Sequence, residues 1–392
     1  MTRLSAAGEV PAAGADADPS VWKGPELARP GQWRLRLSEA RIAEIDSALR
    51  ETRRRDLTLL RLTAADFPLP SLAAGLARLS ETLEGGRGFA VVRGIPVERL
   101  GETAASTVFW GIGRHLGQPV PQNADGLVLG HLRGTGRDPG APSAPGHRTR
   151  GAAPFETAPS APGHRSRGAA PFETAPSAPG HRTREAEPLH TDPTDLLALL
   201  ALRTPRTGTR VRLAGSAAVL GAVRERRPDL ADRLHRTYHF DRRGEHAPGE
   251  RPWTTAPLFS RHDGPGGAPS TRYDRCRIES AQRFPEVPRL EPADRELFDL
   301  VDSVAASPEY RLDLGLTAGD LLLVNTHRVM HARPAFEDDG PPDPSSHLLR
   351  LWLALPRGPG GQDAHPWVTL RDVIRPRSTA APGATNPRRY PA

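Results

Sequence analysis

The stretch LHTDPTDLLALLALR (189–203) sets an imidazole and a carboxylate, His190 and Asp192, directly ahead of an apolar run. The run predicts a strand. In an extended chain residues i and i+2 point to the same side, so the two polar groups converge on one point. A His-x-Asp triplet recurs often by chance, and two readings stay open at this level. It is half of a metal site, or a loop pair that solvates the start of a strand.

A second stretch, GDLLLVNTHRVMHARPAFED (319–338), carries His331 at the end of another hydrophobic strand, 139 residues after Asp192. Alone it reads as a core histidine or as a ligand. Two imidazoles and one carboxylate on one face of an ion form the facial triad of non-haem Fe(II) oxygenases, which leaves three positions for a cosubstrate and dioxygen. Such a cosubstrate needs an anchor for its far carboxylate, and the planar fork of arginine suits that task. HLLRLWLAL (347–355) offers Arg350. Its three readings are cosubstrate anchor, contact to a substrate carboxylate, and structural ion pair.

Working outward, the pattern predicts helices from about Ser38 to Arg54, over Leu72–Leu83 with Gly85 and Gly86 closing it, over 102–117, over Ser216–Arg226, over Pro228–Leu234 and over Pro292–Ala306. Strands are expected within 86–96, at Leu127–Leu132 and Thr209–Leu213, near Pro257–Arg261 and Thr271–Asp274, and in the apolar runs after Tyr310, Asp320 and His347. Residues 1–30 read as a disordered leader and 359–392 as a polar, Pro-rich tail. Between them, 31–358 reads as a single domain. Residues 141–188 interrupt it with APSAPGHRTRGAAPFET, which recurs almost unchanged at 158 and begins again at 175. With one Phe per 17 residues the unit cannot bury enough to offset its ordering entropy. It reads as a recent duplication in a surface loop, disordered by composition, with His147, His164 and His181 as passengers.

Composition excludes several classes. The 392 residues hold one cysteine, Cys276, so no disulfide framework or multi-Cys metal site exists. No apolar stretch is long enough to span a bilayer, and the first twenty residues lack a signal-peptide core, which leads us to expect a cytoplasmic protein. The net charge of +7 raises nucleic-acid binding. Lys23 is the only lysine, however, and the arginines are scattered among acids with no basic stripe, so no nucleic-acid partner and no membrane partner is expected.

Six ordered blocks resemble the TauD/TfdA family of Fe(II)/2-oxoglutarate-dependent dioxygenases, in its gamma-butyrobetaine-hydroxylase-like and clavaminate-synthase-like branch. They are GRGFAVVRGIPV (86–97), FWGIGRHLGQPVPQNADG (109–126), LHTDPTDLLALL (189–200), RYDRCRIESAQRFPEVP (272–288), GDLLLVNTHRVMHARPAFED (319–338) and HLLRLWLALP (347–356). The resemblance covers roughly 20–138 and 188–358. It implies a mainly β fold with flanking α-helices around a double-stranded β-helix, a jelly-roll of cupin-like type. It implies His190, Asp192 and His331 as iron ligands, and Fe(II), 2-oxoglutarate and O2 as cofactor and cosubstrates. The implied reaction is hydroxylation or desaturation of an unactivated C–H of a small molecule, with succinate and CO2 as co-products. Gln122 and Asn123 fall on a stretch that borders the pocket in relatives, where they are candidates for substrate contact. A homo-oligomer is in keeping with the family.

Two departures stand out. Relatives carry an arginine before the HLLRLW run as the usual 2-oxoglutarate anchor, and here that position is Ser346. A Ser or Thr that helps hold the same carboxylate is replaced by Val211, with Thr209 close by. Arg350 and Thr209 are therefore the expected replacements. The departures also raise an alternative, a degenerate non-catalytic barrel with a binding or assembly role. Among neighbouring residues, Asp195 is expected to make a supporting hydrogen bond, His327 and Trp352 to pack in the core, Asn325 to bond backbone near the site, and Arg333 to pair with an acid.

Overall fold

A computed structural model describes residues 19–27, 33–123, 126–133, 188–204, 209–246, 249–261, 269–332 and 346–355. The repeat, the tail and Arg333 lie outside the described residues. In chain order the elements are β1 (Arg34–Arg36), α1 (Glu39–Arg54), α2 (Leu72–Gly85), β2 (Phe89–Arg93), α3 (Val97–Leu116), β3 (Gln118–Pro119), β4 (Leu129–Arg133), β5 (Leu196–Arg203) and β6 (Thr209–Gly215). They continue with α4 (Ser216–Arg226), a 3-10 helix (Pro228–His235), β7 (Thr237–Asp241), β8 (Trp253–Pro257), β9 (Phe259–Arg261), β10 (Pro269–Thr271), α5 (Arg275–Ala281), α6 (Pro292–Ala306), β11 (Arg311–Leu316), β12 (Asp320–Asn325), β13 (Val329–Ala332) and β14 (His347–Ala354).

The major sheet runs in the order β1-β2-β12-β5-β14-β3, with β4 also paired to β14. A smaller sheet has the order β11-β6-β13. Strand alternation explains how the two are covered. Leu196, Ala198, Leu200, Leu349, Leu351 and Leu353 turn to one side of the major sheet and pack with α1, α2 and α3. Leu197, Leu199, Leu348 and Trp352 turn to the other and meet Val211, Leu213, Leu314 and Val329 of the smaller sheet. The strands therefore read as unbroken apolar runs because both faces are buried. Outside the smaller sheet, Ala214, Met330 and Ala332 pack with α4, α6, β7 and β8.

Local chemistry matches the expected elements closely. The Ser38 side chain caps α1 by accepting from Arg41 N, and α6 opens with a reciprocal capping box between Glu291 and Asp294. The helix expected over 102–117 begins earlier, at Val97, with a break at Gly101 (φ 72°) that separates its first turn. The segment Pro228–His235 is helical but in 3-10 form.

One expectation needs correcting. Part of the leader expected to be disordered is folded. Trp22 and Leu27 are buried, and Trp22 donates to the Arg87 carbonyl at 2.9 Å and packs 5.4 Å from the Phe89 ring. Two large apolar side chains in a Pro/Gly-rich segment suffice to dock it.

Candidate metal centre

The site lies at one end of the space between the two sheets. Just before β5, His190 forms an isolated antiparallel bridge with His331 of β13. Each backbone N–H donates to the other's carbonyl, at 3.0 and 2.8 Å, and the ring centroids stand 4.7 Å apart. Asp192, two residues on, reaches the same point. Its Oδ1 lies 3.8 Å from His190 Nε2 and its Oδ2 3.5 Å from His331 Nε2. One ligand atom from each of the three side chains lies within 4.8 Å of the others. The three candidate ligands read from sequence are thus brought together.

His190 and Asp192 are each held by a further group. His190 Nδ1 is 3.0 Å from the Pro188 carbonyl. A carbonyl only accepts, so Nδ1 carries a ring proton and Nε2, the nitrogen that faces Asp192, is the one left to bind an ion. Trp352 Nε1 donates to Asp192 Oδ2 at 2.8 Å. The indole, expected only to pack, therefore orients the carboxylate. Strand alternation was the available signal, since it places residue 352 on the same inward face as Arg350. Burial pushes the Asp192 carboxyl up, but His331, His190 and Arg350 more than offset this and hold it below the usual range. The carboxylate is ionised at neutral pH, as a ligand must be.

Around the triplet, Thr191 N donates to the Tyr273 carbonyl at 2.7 Å and Tyr273 N donates to Thr191 Oγ1 at 2.9 Å. Asp195 joins three segments. Its Oδ1 is 3.0 Å from His327 Nε2, its Oδ2 accepts from Leu355 N at 2.9 Å, and its carbonyl accepts from Thr326 N. His327 Nδ1 in turn lies 2.9 Å from Ser270 Oγ. His327 is therefore a polar tie between the ligand-bearing segments rather than simple packing. Asn325 bonds backbone on both sides: its Oδ1 accepts from His327 N at 3.0 Å and its Nδ2 donates to the Leu83 carbonyl of α2 at 3.0 Å.

Arg350 faces inward. Its Nε donates to Gln122 Oε1 at 2.6 Å, and its guanidinium lies 4.9 Å from the Trp352 ring. Gln122 is buried and spends its amide donors on the Val128 and Arg350 carbonyls, while Asn123 closes a turn by accepting from Leu127 N. The bonds of these two residues hold Arg350 and the turn. Thr209 starts β6, four residues before Leu213, the pairing partner of His331. That places it about 13 Å from the bridge along the strand. Its hydroxyl is buried and makes no hydrogen bond among the described residues. Val211 and Ser346 are both buried.

Sequence reading missed a cluster beside His190. Asp274, which caps α5, is pushed up by burial yet held low by Arg277, His190 and Arg243. Two residues earlier on the same side of the chain, the Arg272 guanidinium is buried against the Phe240 ring at 4.6 Å and donates to Thr254 Oγ1. Burial lowers its pKa to about 10, so it remains a cation at neutral pH.

The donor set fits a divalent iron ion, being two nitrogens and one carboxylate with no thiolate. Comparison with known proteins agrees. The description "Taurine catabolism dioxygenase TauD, TfdA family" matches residues 53–352. FR-33289 synthase of Streptomyces rubellomurinus is 29% identical over 360 residues, 89% of this chain and 94% of that protein. The taurine hydroxylase-like protein SAT17 of Stachybotrys chartarum is 27% identical over 345 residues, 85% and 78% of the two chains. Among solved structures, asparagine oxygenase in complex with Fe(II), 2S,3S-3-hydroxyasparagine and succinate is similar at a TM-score of 0.53 and 14% identity, covering 82% of this chain and 93% of that one. The non-haem iron oxygenase OrfP in complex with Fe, succinate and (3S)-hydroxy-L-Arg gives a TM-score of 0.51 at 17% identity, with 82% and 94% covered. With the family description spanning three quarters of its length, this chain belongs to the TauD/TfdA family and is a 2-oxoglutarate-dependent dioxygenase that uses Fe(II), 2-oxoglutarate and O2.

Proposed function

We propose that the enzyme hydroxylates or desaturates an unactivated C–H bond of a small molecule in secondary metabolism, in the cytoplasm, releasing succinate and CO2. The observation that carries this reading is the convergence of His190, Asp192 and His331 between the two sheets. In this reading the two sheets form the double-stranded β-helix of the family. The three side chains hold the iron, which with 2-oxoglutarate and O2 supplies the oxidant for C–H cleavage. Two imidazoles and a carboxylate leave half of an octahedral ion's positions open.

The chain's own residues do the rest. Pro188 and Trp352 fix the ligand orientations, and Asp195 and His327 hold the two ligand segments in register. Arg350 presents a guanidinium steadied by Gln122 to the far carboxylate of 2-oxoglutarate. The buried Thr209 hydroxyl, which makes no hydrogen bond among the described residues, gains a partner in the same carboxylate. The buried cation of Arg272, two residues before Asp274, whose charge acts on His190, favours a substrate that carries an acidic group. The alternative of a non-catalytic barrel, raised by Ser346, fits poorly with a ligand set kept together with its supporting bonds.

The test is purified full-length protein with Fe(II), 2-oxoglutarate and O2, followed by succinate release with a panel of small acids. Succinate formation that disappears in His331→Ala supports the reading. No succinate with any candidate, together with no 2-oxoglutarate binding by calorimetry, overturns it.

A further inference from the structure

Two more imidazoles and a carboxylate face one another at the other end of the major sheet. His131 comes from β4, His347 from the first residue of β14 and Glu102 from α3. The first residue of β5 pairs with Leu353, six residues beyond His347, so the strand carries this cluster about 20 Å from the entry to the iron site. The register accounts for the meeting. His347 pairs with Arg133 and Leu349 with His131, which places the two histidines diagonally on one face of neighbouring strands. That face also bears Leu349, Leu351 and Leu353 and packs under the helices, where α3 supplies Glu102.

The three side chains are close enough for each to offer one ligand atom to a common ion. His131 Nδ1 lies 3.0 Å from His347 Nε2, and the rings are 5.2 Å apart between centroids. Glu102 Oε1 lies 3.6 Å from His131 Nδ1, and Oε2 lies 3.6 Å from His347 Nδ1. A shared proton explains the contact between the imidazoles. Ligands around a tetrahedral zinc with bonds of about 2.0–2.1 Å are separated by about 3.3 Å, and His347 would give one of its two nitrogens to the ion, Nε2 on the His131 side or Nδ1 on the Glu102 side. One ligand atom from each residue lies within 4.8 Å of the others. Arg203 Nη2 approaches His347 Nδ1 at 3.3 Å and Glu102 Oε2 at 4.0 Å. Its side chain is 55% exposed and can swing aside when an ion enters.

We propose that Glu102, His131 and His347 form a second divalent-metal site, suited by its two nitrogens and one oxygen to ions of the zinc and cobalt class, with a fourth position for water. Metal there ties α3 to the edge strand β4. The site is independent of the oxygenase chemistry.

The experiment uses metal-stripped full-length protein titrated with Co(II), with bound metal counted and the visible absorption of the ion recorded. The wild type binds an equivalent at this cluster in addition to the equivalent at the iron site. His131→Gln and Glu102→Gln each lower affinity for the additional equivalent at least tenfold and leave the first intact. Glu102 is 42% exposed, so its substitution does not threaten the fold. In a His331→Ala background, which disables the iron site, Zn(II) raises the melting temperature, and adding His131→Gln removes that rise. Binding of the additional equivalent undiminished in both His131→Gln and Glu102→Gln, or its absence from the wild type, overturns the proposal.

Discussion

His190 and His331 are joined through their backbones, each N–H donating to the other's carbonyl. The pairing fixes the two imidazoles side by side before any ion arrives, so the cost of assembling the pair is met by folding. Replacing His331 by Ala leaves the backbone bridge in place and removes one nitrogen from the site. Fe(II)-dependent succinate formation is expected to fall by at least ~100-fold with the circular dichroism spectrum unchanged. Retained turnover would remove His331 from the ligand set.

Trp352 provides a gentler probe. Trp352→Phe keeps most of the inter-sheet packing and deletes the N–H that reaches Asp192 Oδ2 at 2.8 Å. Fe(II) affinity should drop roughly tenfold, the lower end of the effect of losing a group that orients a ligand. A metal titration that matches wild type would show that the indole only packs.

The cosubstrate anchor makes opposite predictions for two residues. Arg350→Met should weaken 2-oxoglutarate binding by roughly tenfold or more, because a charge-assisted hydrogen bond contributes about 1.5–3 kcal/mol. Ser346→Arg places a second guanidinium at the position used by relatives and should tighten binding by a similar factor. Calorimetry with the metal-loaded protein measures both. Equal affinity in all three proteins would place the anchor elsewhere.

Asp294 links the outer layer through Arg233 at 2.7 Å, Tyr238 at 2.9 Å and its own capping bond to Glu291 N. Burial pushes its carboxyl up, but the capping bond, Arg233 and Tyr238 prevail and hold it below the usual value. A lowered folded pKa gives stability that is present above the unfolded value near 4 and is lost as pH falls through the folded one. Asp294→Asn should cost about 3 kcal/mol at pH 7 and flatten the loss of stability below pH 4, measured by urea unfolding across pH. An unchanged acid limb would assign that limb to other carboxylates.

Gly319 adopts φ +83°, and a Cβ there would sit 2.3 Å from the Ile95 carbonyl oxygen. Its own carbonyl accepts from Gly94 N and Ile95 N, locking the turn before β12 to the end of β2. Gly319→Ala should destabilise the protein by at least about 1–3 kcal/mol, read from the urea midpoint. A midpoint within error of wild type would show that the turn relaxes freely.

The elements that deliver the ligands were legible because their signals are local. The apolar run 196–203, the run after Asp320 and the HLLRLW run announce strands, and i, i+2 geometry alone puts His190 and Asp192 on one side. What the linear pattern concealed were groups whose roles depend on a partner far along the chain. Trp352 looks like any inward apolar residue until Asp192, 160 positions earlier, is placed beneath its indole. His327 looks like packing until Asp195 and Ser270 close on its two nitrogens. Gln122 reads as a pocket residue, yet its amide is committed to Arg350 and Val128. Trp22 and Leu27 were lost in a composition that otherwise signals disorder.

By itself the amino-acid order determined the strand and helix periods, the caps, and the chemical identity of the two imidazoles and the carboxylate, since these follow from backbone sterics and side-chain type. Only tertiary structure decided that β13 lies beside the His190 segment, that an indole rather than a solvent molecule orients Asp192, and that His131, His347 and Glu102 meet beneath α3. Those outcomes depend on sheet register, which is set by burying both faces of the strands at once and cannot be read from any single segment.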